Sequence, residues 1–335
     1  MDVNLPDLSQ SLRMISRAQS LRASLDDSGT ALTTGAVADA RKALGGSTAA
    51  LASADRGIAL AKSREAGLAQ ASLRASYIQT SLQGLQSLAG TEGLRIISAT
   101  GAGDIVSIKA FTAEARTSLD NTFAKLQGQL AGDSLFAGAA LDGQALAPSE
   151  DLMVLVRAEL ALATDAADAQ TRLDTLFDTS GGPFETLIWQ GSDTPAPGAP
   201  LEDGSQISFA PLAKDQAFRD MFKGLSLAAA IDEGAVPLSS GDQNALLTQA
   251  GTWLLAGEKG VIDIKSALGT VEQRIADAQS FETAQIAALE TARTEMIGTD
   301  QYAEATRITA LEAQLDALYT ITARISALNF TRYIA

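Results

Sequence analysis

The chain has 335 residues, with 40 acidic and 25 basic side chains, a net charge of −15, and neither cysteine nor histidine. Those two zeros exclude a thiol nucleophile, a Ser-His-Asp triad, a His- or Cys-ligated zinc and a disulfide framework. The acidic balance argues against nucleic acid and against an anionic membrane surface as partners, since both draw on basic patches.

Apolar types make up 46% of residues but aromatics only 5%, and much of the apolar share is alanine. Alanine favours helix and lets helices pack closely, but it does not fill a thick core. The expectation is long, slender helical packing. No run of about 18 apolar residues exists, so no membrane insertion is expected. The first residues, MDVNLPDLSQSLRMISR, lack the apolar stretch of a cleavable signal. The protein is therefore expected either to stay in the cytoplasm or to leave by a route that reads no cleaved signal.

Proline divides the chain. Residues 7–147 and 238–335 contain none, while Pro183 to Pro211 holds five of the eight. Proline costs about 3 kcal/mol inside a helix, so the flanks are free to be long helices and the middle is not. The predicted organisation is an N-terminal coiled-coil arm (1–34), the first half of a helical rod with a β-hairpin (35–148), a central insertion (149–238), the second half of the rod (239–298) and a C-terminal coiled-coil arm (299–335). The fold class is mainly α: an elongated antiparallel rod made by the two arms, with a β-hairpin and a small central α/β insertion.

In chain order, Leu5, Leu8, Leu12, Ile15, Ala18, Leu21 and Leu25 recur at helical spacing and place one apolar stripe on the first helix. Gly35, Gly45 and Gly46 break it. A second helix is predicted from Ser47 to about Ala99, weakened at Gly84, Gly90 and Gly93. It would extend on the order of 70 Å. Asp104 is placed to cap a third helix ending near Leu130. Asp142-Gly143 carries a two-residue hairpin signal. Residues 150–178 are patterned as helix, Glu185–Gln190 and Ser205–Ala210 as strands, and 215–231 as a helix packed on them. The segment 261–297 is helical, and Gly298–Asp300 is a break. In the last helix Ile308, Leu311, Leu315, Leu318, Ile321, Ile325 and Leu328 form nearly a heptad seam, with one short step from Leu318 to Ile321.

A lone amphipathic helix is marginal in water, so these stripes need partners. A terminal helix ordinarily packs on its own domain. Here both stripes sit beyond glycine breaks, which suits an antiparallel pair that closes independently of the body. The remaining patterns carry little. Gly101-Ala102-Gly103 and the run 251–260 miss the phosphate-loop spacings and are read as helix breaks. Asp26-Asp27 and Asp232-Glu233 are read as solvated faces or caps, and Trp189 and Trp253 as core filler. No enzyme activity, cofactor or metal is expected.

Three runs resemble flagellins and flagellar hook-associated proteins. They are the first helix leading into Leu32-Thr33-Thr34-Gly35, Asn121-Thr122 followed by Ser134-Leu135-Phe136-Ala137-Gly138, and the stretch from Tyr302 through Arg307, Leu311, Gln314-Leu315, Tyr319 and Thr322 to Phe330. The C-terminal run is most similar to the hook–filament junction members. The resemblance covers roughly residues 5–145 and 250–333. Two features depart from it: Ala38-Asp39-Ala40-Arg41 stands where an Asp-Asp-Pro usually follows the turn, and the conventional flagellin N-terminal helix sequence is absent. The second departure favours a junction protein over a filament subunit.

The resemblance implies export through the flagellum-specific type III route without a cleaved signal, and a place on the extracellular bacterial flagellum. It implies terminal helices that pair as a coiled coil, and a structural role joining hook to filament. The implied partners are further copies of the chain and the neighbouring hook-associated protein and flagellin. The exposed C-terminal stripe adds an export chaperone. The rival readings are a minor flagellin, a cytoplasmic helical adaptor and, least favoured, an enzyme with a carboxylate pair.

Overall fold

Glycine and aspartate set where the helices stop and start. The computed structural model describes residues 5–209 and 211–334, and side chains at 9, 10, 12–209 and 211–325. The side chains of Leu5, Leu8 and Leu328, and the predicted strand end at Ala210, lie outside the described residues. Helix α1 (Leu5–Thr34) ends where Gly35 takes a φ of 69°, a left-handed conformation that glycine adopts without steric cost. A short turn, α2 (Ala40–Ala43), is capped by Asp39. Helix α3 (Ala49–Ala102) stops before Gly103, whose φ is 68°. Asp104 then caps α4 (Ile105–Leu126) as expected, its Oδ1 accepting from the backbone N–H of Val106 at 3.1 Å and of Ser107 at 3.2 Å. Helices α5 (Ser149–Ala161) and α6 (Ala166–Asp178) follow, separated by an Asp165 cap. Next come α7 (Gln216–Asp232), α8 (Ser240–Ile297) and α9 (Gln301–Ile334). The fold is mainly α, with long helices packed on one another and two small antiparallel hairpins.

The β structure differs from expectation in two places. The first hairpin pairs β1 (Gln129–Leu130) with β2 (Asp133–Ser134), joined by Ala131 and Gly132, not by Asp142-Gly143. Ala131 takes a φ of 54° and Gly132 of 97°, as a two-residue hairpin turn demands. An alanine there is costly, so the sequence hides the turn. Asp142-Gly143 forms an ordinary turn, with Gly143 N–H donating to the Ala140 carbonyl at 3.2 Å. The predicted strand over Glu185–Gln190 is also corrected. Phe184–Ile188 is a π-helical turn that buries Phe184 and Ile188, four residues apart. Only Trp189 beyond it makes a β-bridge, to Leu146. The second hairpin, β3 (Ala199–Pro200) with β4 (Gln206–Ile207), falls within the other predicted strand region.

The chain divides into two units, residues 64–281 and residues 1–63 with 282–335. In the first, α7 is the axis of the core. It buries side chains around its whole circumference, among them Phe218, Met221, Phe222 and Leu225. A helix apolar on all sides belongs in an interior. Phe222 stands between Phe123 (ring centroids 4.7 Å) and Phe184 (5.9 Å). The glycines at 251 and 257, read from sequence as part of a break, lie inside α8 and mark close approaches. A Cβ on Gly251 would fall 2.6 Å from Ile97 and 3.0 Å from the Gly93 carbonyl, and one on Gly257 2.8 Å from the Ala217 carbonyl. They let α3 and α7 reach the backbone of α8.

In the second unit α1 packs on α9. The start of α3 meets the end of α8 through Arg293–Asp55 at 2.9 Å and Lys62–Glu290 at 2.7 Å. Ala36 forms a β-bridge with Gly298, the Val37 N–H donates to the Ile297 carbonyl at 2.8 Å, and the Thr299 N–H donates to the Gly35 carbonyl at 3.1 Å. The predicted break at Gly298–Asp300 is therefore a hydrogen-bonded corner that fixes where α1 and α9 begin to pair.

Candidate assembly interface

The pairing of α1 with α9 is antiparallel and follows a heptad. On α1 the inward residues are Met14, Ala18, Leu21, Leu25, Ser28 and Leu32, separated by four and three in alternation. On α9 they are Glu304, Ile308, Leu311, Leu315, Leu318 and Ile325, with the step between the last two bridged at Thr322. The Thr322 Oγ1 lies 3.6 Å from Met14 Sδ and donates to the Leu318 carbonyl at 2.8 Å. An alternation of four and three keeps one stripe facing a partner helix along its length. The break seen in sequence between Leu318 and Ile321 disappears once the polar Thr322 takes the seam position.

The sequence-predicted residues separate accordingly. Leu21, Leu25, Ile308, Leu311, Leu315, Leu318 and Ile325 lie in the seam. Leu12 and Ile15 on α1 and Ile321 on α9 do not. They remain 59%, 53% and 50% exposed, on the flanks of the pair. Sequence reasoning missed Met14, Ser28, Leu32, Glu304 and Thr322. Running the four–three alternation outward from Leu21 and Leu25 finds Met14, Ser28 and Leu32, whereas an apolar-only search cannot find Ser28, Glu304 or Thr322.

Two buried polar atoms mark this seam. Ser28 is 2% exposed and its Oγ has no hydrogen-bond partner. Glu304 presents one carboxylate oxygen to the Thr299 hydroxyl at 3.4 Å and to Arg307 at 3.8 Å, and its other oxygen is buried without a partner. Outside the seam, Gln10, Arg13, Arg17, Gln314, Ala317 and Ile321 line one side of the pair as a groove. On α1 the Arg22 guanidinium lies 5.7 Å from the centroid of the Tyr319 ring, a cation–π arrangement.

A second concavity, of about 320 Å³, lies in the unit of residues 64–281 beneath the β3–β4 hairpin. Arg74 lines it and donates to the Ser134 carbonyl at 2.7 Å. Burial pushes its guanidinium below the ordinary value, against the pull of Asp133. Asp133 is the one acid in the lining, so this cleft offers no carboxylate pair for acid–base chemistry. Among the described residues no group of three or more Asp or Glu is arranged to hold a metal ion. Among them, too, no helix is long and apolar enough to cross a membrane.

Fold and interface together define a helical protein whose terminal helices pair as a coiled coil. Residues 258–334, which take in α9 and most of α8, match the family model described as the bacterial flagellin C-terminal helical region. This segment is of flagellin type, and the resemblance drawn from Tyr302 to Phe330 holds for it.

Two solved structures are similar over much of the chain. The crystal structure of Bacillus cereus FlgL is 15% identical, covers 74% of this chain and 96% of its own, and has a TM-score of 0.38. A protein from Vibrio parahaemolyticus described as flagellar hook-associated is 13% identical, covers 74% of this chain and 92% of its own, and has a TM-score of 0.41. No curated protein matches the chain.

Proposed function

We propose that the chain is a structural subunit of the bacterial flagellum that joins hook to filament, assembling through α1 and α9. The observation that carries this is the heptad pairing of α1 with α9 in the segment of flagellin C-terminal type. A seam of this kind holds the arm together while leaving apolar residues on its flanks for neighbouring copies. On this reading the chain leaves the cell through the flagellar type III route without a cleaved signal. It then contacts further copies of itself, the adjacent hook-associated protein and flagellin.

Leu315→Asp tests the assembly half of the reading. It sets a carboxylate among Leu311, Leu318 and the α1 seam. Loss of assembly, with the unit of residues 64–281 still folded by proteolysis, supports the reading, and normal assembly rejects it. The junction half is tested by electron microscopy of a strain lacking the chain. Hooks without filaments support it. Intact filaments, with the chain present in thousands of copies along them in the parent strain, favour a minor flagellin, which the C-terminal family match also accommodates. An export chaperone is proposed to bind residues 300–335. Truncation after Thr299 should abolish its capture, and undiminished capture rejects that site.

A further inference from the structure

Burial along α1 and α9 leaves two flanks on the pair, and the flanks differ in charge. On the groove side α1 presents Arg13 and Arg17, and α9 presents Ile321. Arg307 lies fourteen residues before Ile321, two full heptads, and so falls on the same flank. On the opposite side α1 presents Leu12, Ile15 and Arg22, spaced three and seven. Here α9 presents Tyr319, beneath Arg22, with Glu312 seven residues before it and Asp316 three before it. Arg13, Arg17, Glu312 and Asp316 are all exposed. One side of the pair is therefore basic, in a chain whose net charge is −15, and the other combines two acids with an apolar patch.

The geometry points to a one-way lateral contact between copies of this chain: the Arg13/Arg17 side of one arm seats on the Glu312/Asp316 side of the next. This rests on the assembly reading above and gives it a direction. A two-fold contact would set arginine on arginine or acid on acid, which like-charge repulsion disfavours. The head-to-tail contact sets opposite charges together and covers Leu12, Ile15 and Tyr319 of one copy with the Ile321 side of another. Such a contact cannot stop at a dimer. It repeats until it closes a ring, or continues as a helical array.

Charge exchange in the full-length chain tests this, read by sedimentation and electron microscopy, with circular dichroism confirming helix content. R13E/R17E and E312R/D316R should each raise the concentration needed for assembly by about tenfold or more. The chain carrying all four changes should assemble at the wild-type concentration and should not co-assemble with wild type. An equimolar mixture of the two double variants should also assemble, because each supplies the side the other has lost. The proposal is overturned if either double variant assembles as wild type does. It is equally overturned if neither the fourfold chain nor the mixture recovers. A wild-type chain that stays monomeric throughout overturns the assembly reading itself, and this contact with it.

Discussion

Helices α7 and α9 solve opposite problems. Helix α7 is wrapped on every side, so its length is held by many contacts and its sequence admits even a buried lysine. Helix α9 covers one stripe against α1 and leaves the rest of its circumference in water. The central helix is thus stabilised by volume and the terminal one by register. A lost side chain in α7 leaves a void that its neighbours cannot fill. A change on the seam of α9 weakens one narrow contact, and a change beside the seam should cost the isolated molecule little.

The largest effect should come from the centre. Phe222→Ala removes a fully buried ring from between Phe123 and Phe184 and should destabilise the unit of residues 64–281 by about 3–5 kcal/mol, measured by chemical denaturation. Lys223→Met should come close to it. The lysine is 2% exposed, with Nζ 3.0 Å from Asp174, bonded to Asp178, 3.7 Å from Asp220 and 5.4 Å from the centroid of the Trp253 ring. Methionine keeps the stem and strands the acids, a loss of about 3–5 kcal/mol when a buried pair is broken on one side.

The same cluster gives a pH test. Burial holds the Asp220 carboxyl above the ordinary aspartate value of 3.8, with the neighbouring Asp178 adding to it against the pull of Gln216, Lys223 and Arg219. A raised folded-state value means that the folded form holds the proton more tightly. This contribution to stability is present below pH 3.8 and is lost as pH rises through the folded value. Asp220→Asn, which cannot ionise, should therefore gain stability relative to wild type between pH 3 and pH 7. A difference in melting temperature that stays flat over that range rejects the assignment.

The two regions also differ in how much the residues reveal. Proline placement shows the long helices directly, and Asp104 after Gly103 marks a helix start. The packing of α3 is hidden. Ala54, Ala61, Leu68, Ala75, Leu82, Ala89 and Ile96 are all buried at seven-residue intervals, yet most are alanine, and an alanine stripe barely stands out from an alanine-rich background. Glycine misleads in α8 for a related reason. Inside a helix it lowers propensity, so Gly251 and Gly257 read as breaks, although their lack of a side chain serves helix contact. In the terminal pair, Ile321 draws the eye because it is apolar, while register assigns the place to Thr322. The hairpin turn at Ala131 was illegible because its backbone opposes its residue type.

Ser28 brings the comparison to a single atom. In α7 the buried lysine is fully partnered, whereas in the α1 seam the buried Ser28 hydroxyl is not. Leaving such a group unpaired costs about 1–3 kcal/mol, so Ser28→Ala should stabilise the α1–α9 pair by about 1 kcal/mol. Hydrogen exchange in α1 should show it as slower opening. A polar residue at one seam position also fixes register between paired helices, so the same variant should pair less selectively. Faster exchange in Ser28→Ala would mean that the hydroxyl is satisfied in the folded arm.

The smallest effect is expected at Leu12, and it separates the two kinds of apolar residue most cleanly. Leu12 is 59% exposed on the flank of α1. Leu12→Ser removes little buried area, and surface changes of this kind stay within about 0.5 kcal/mol, so the melting of the monomer should be unchanged. Its contribution belongs to contacts between copies, where a side chain that is half in water becomes covered. The variant should therefore fold like wild type and assemble only at higher concentration, the reverse of what Phe222→Ala should do. A Leu12→Ser monomer that melts well below wild type would place Leu12 in the seam and collapse the distinction between seam and flank.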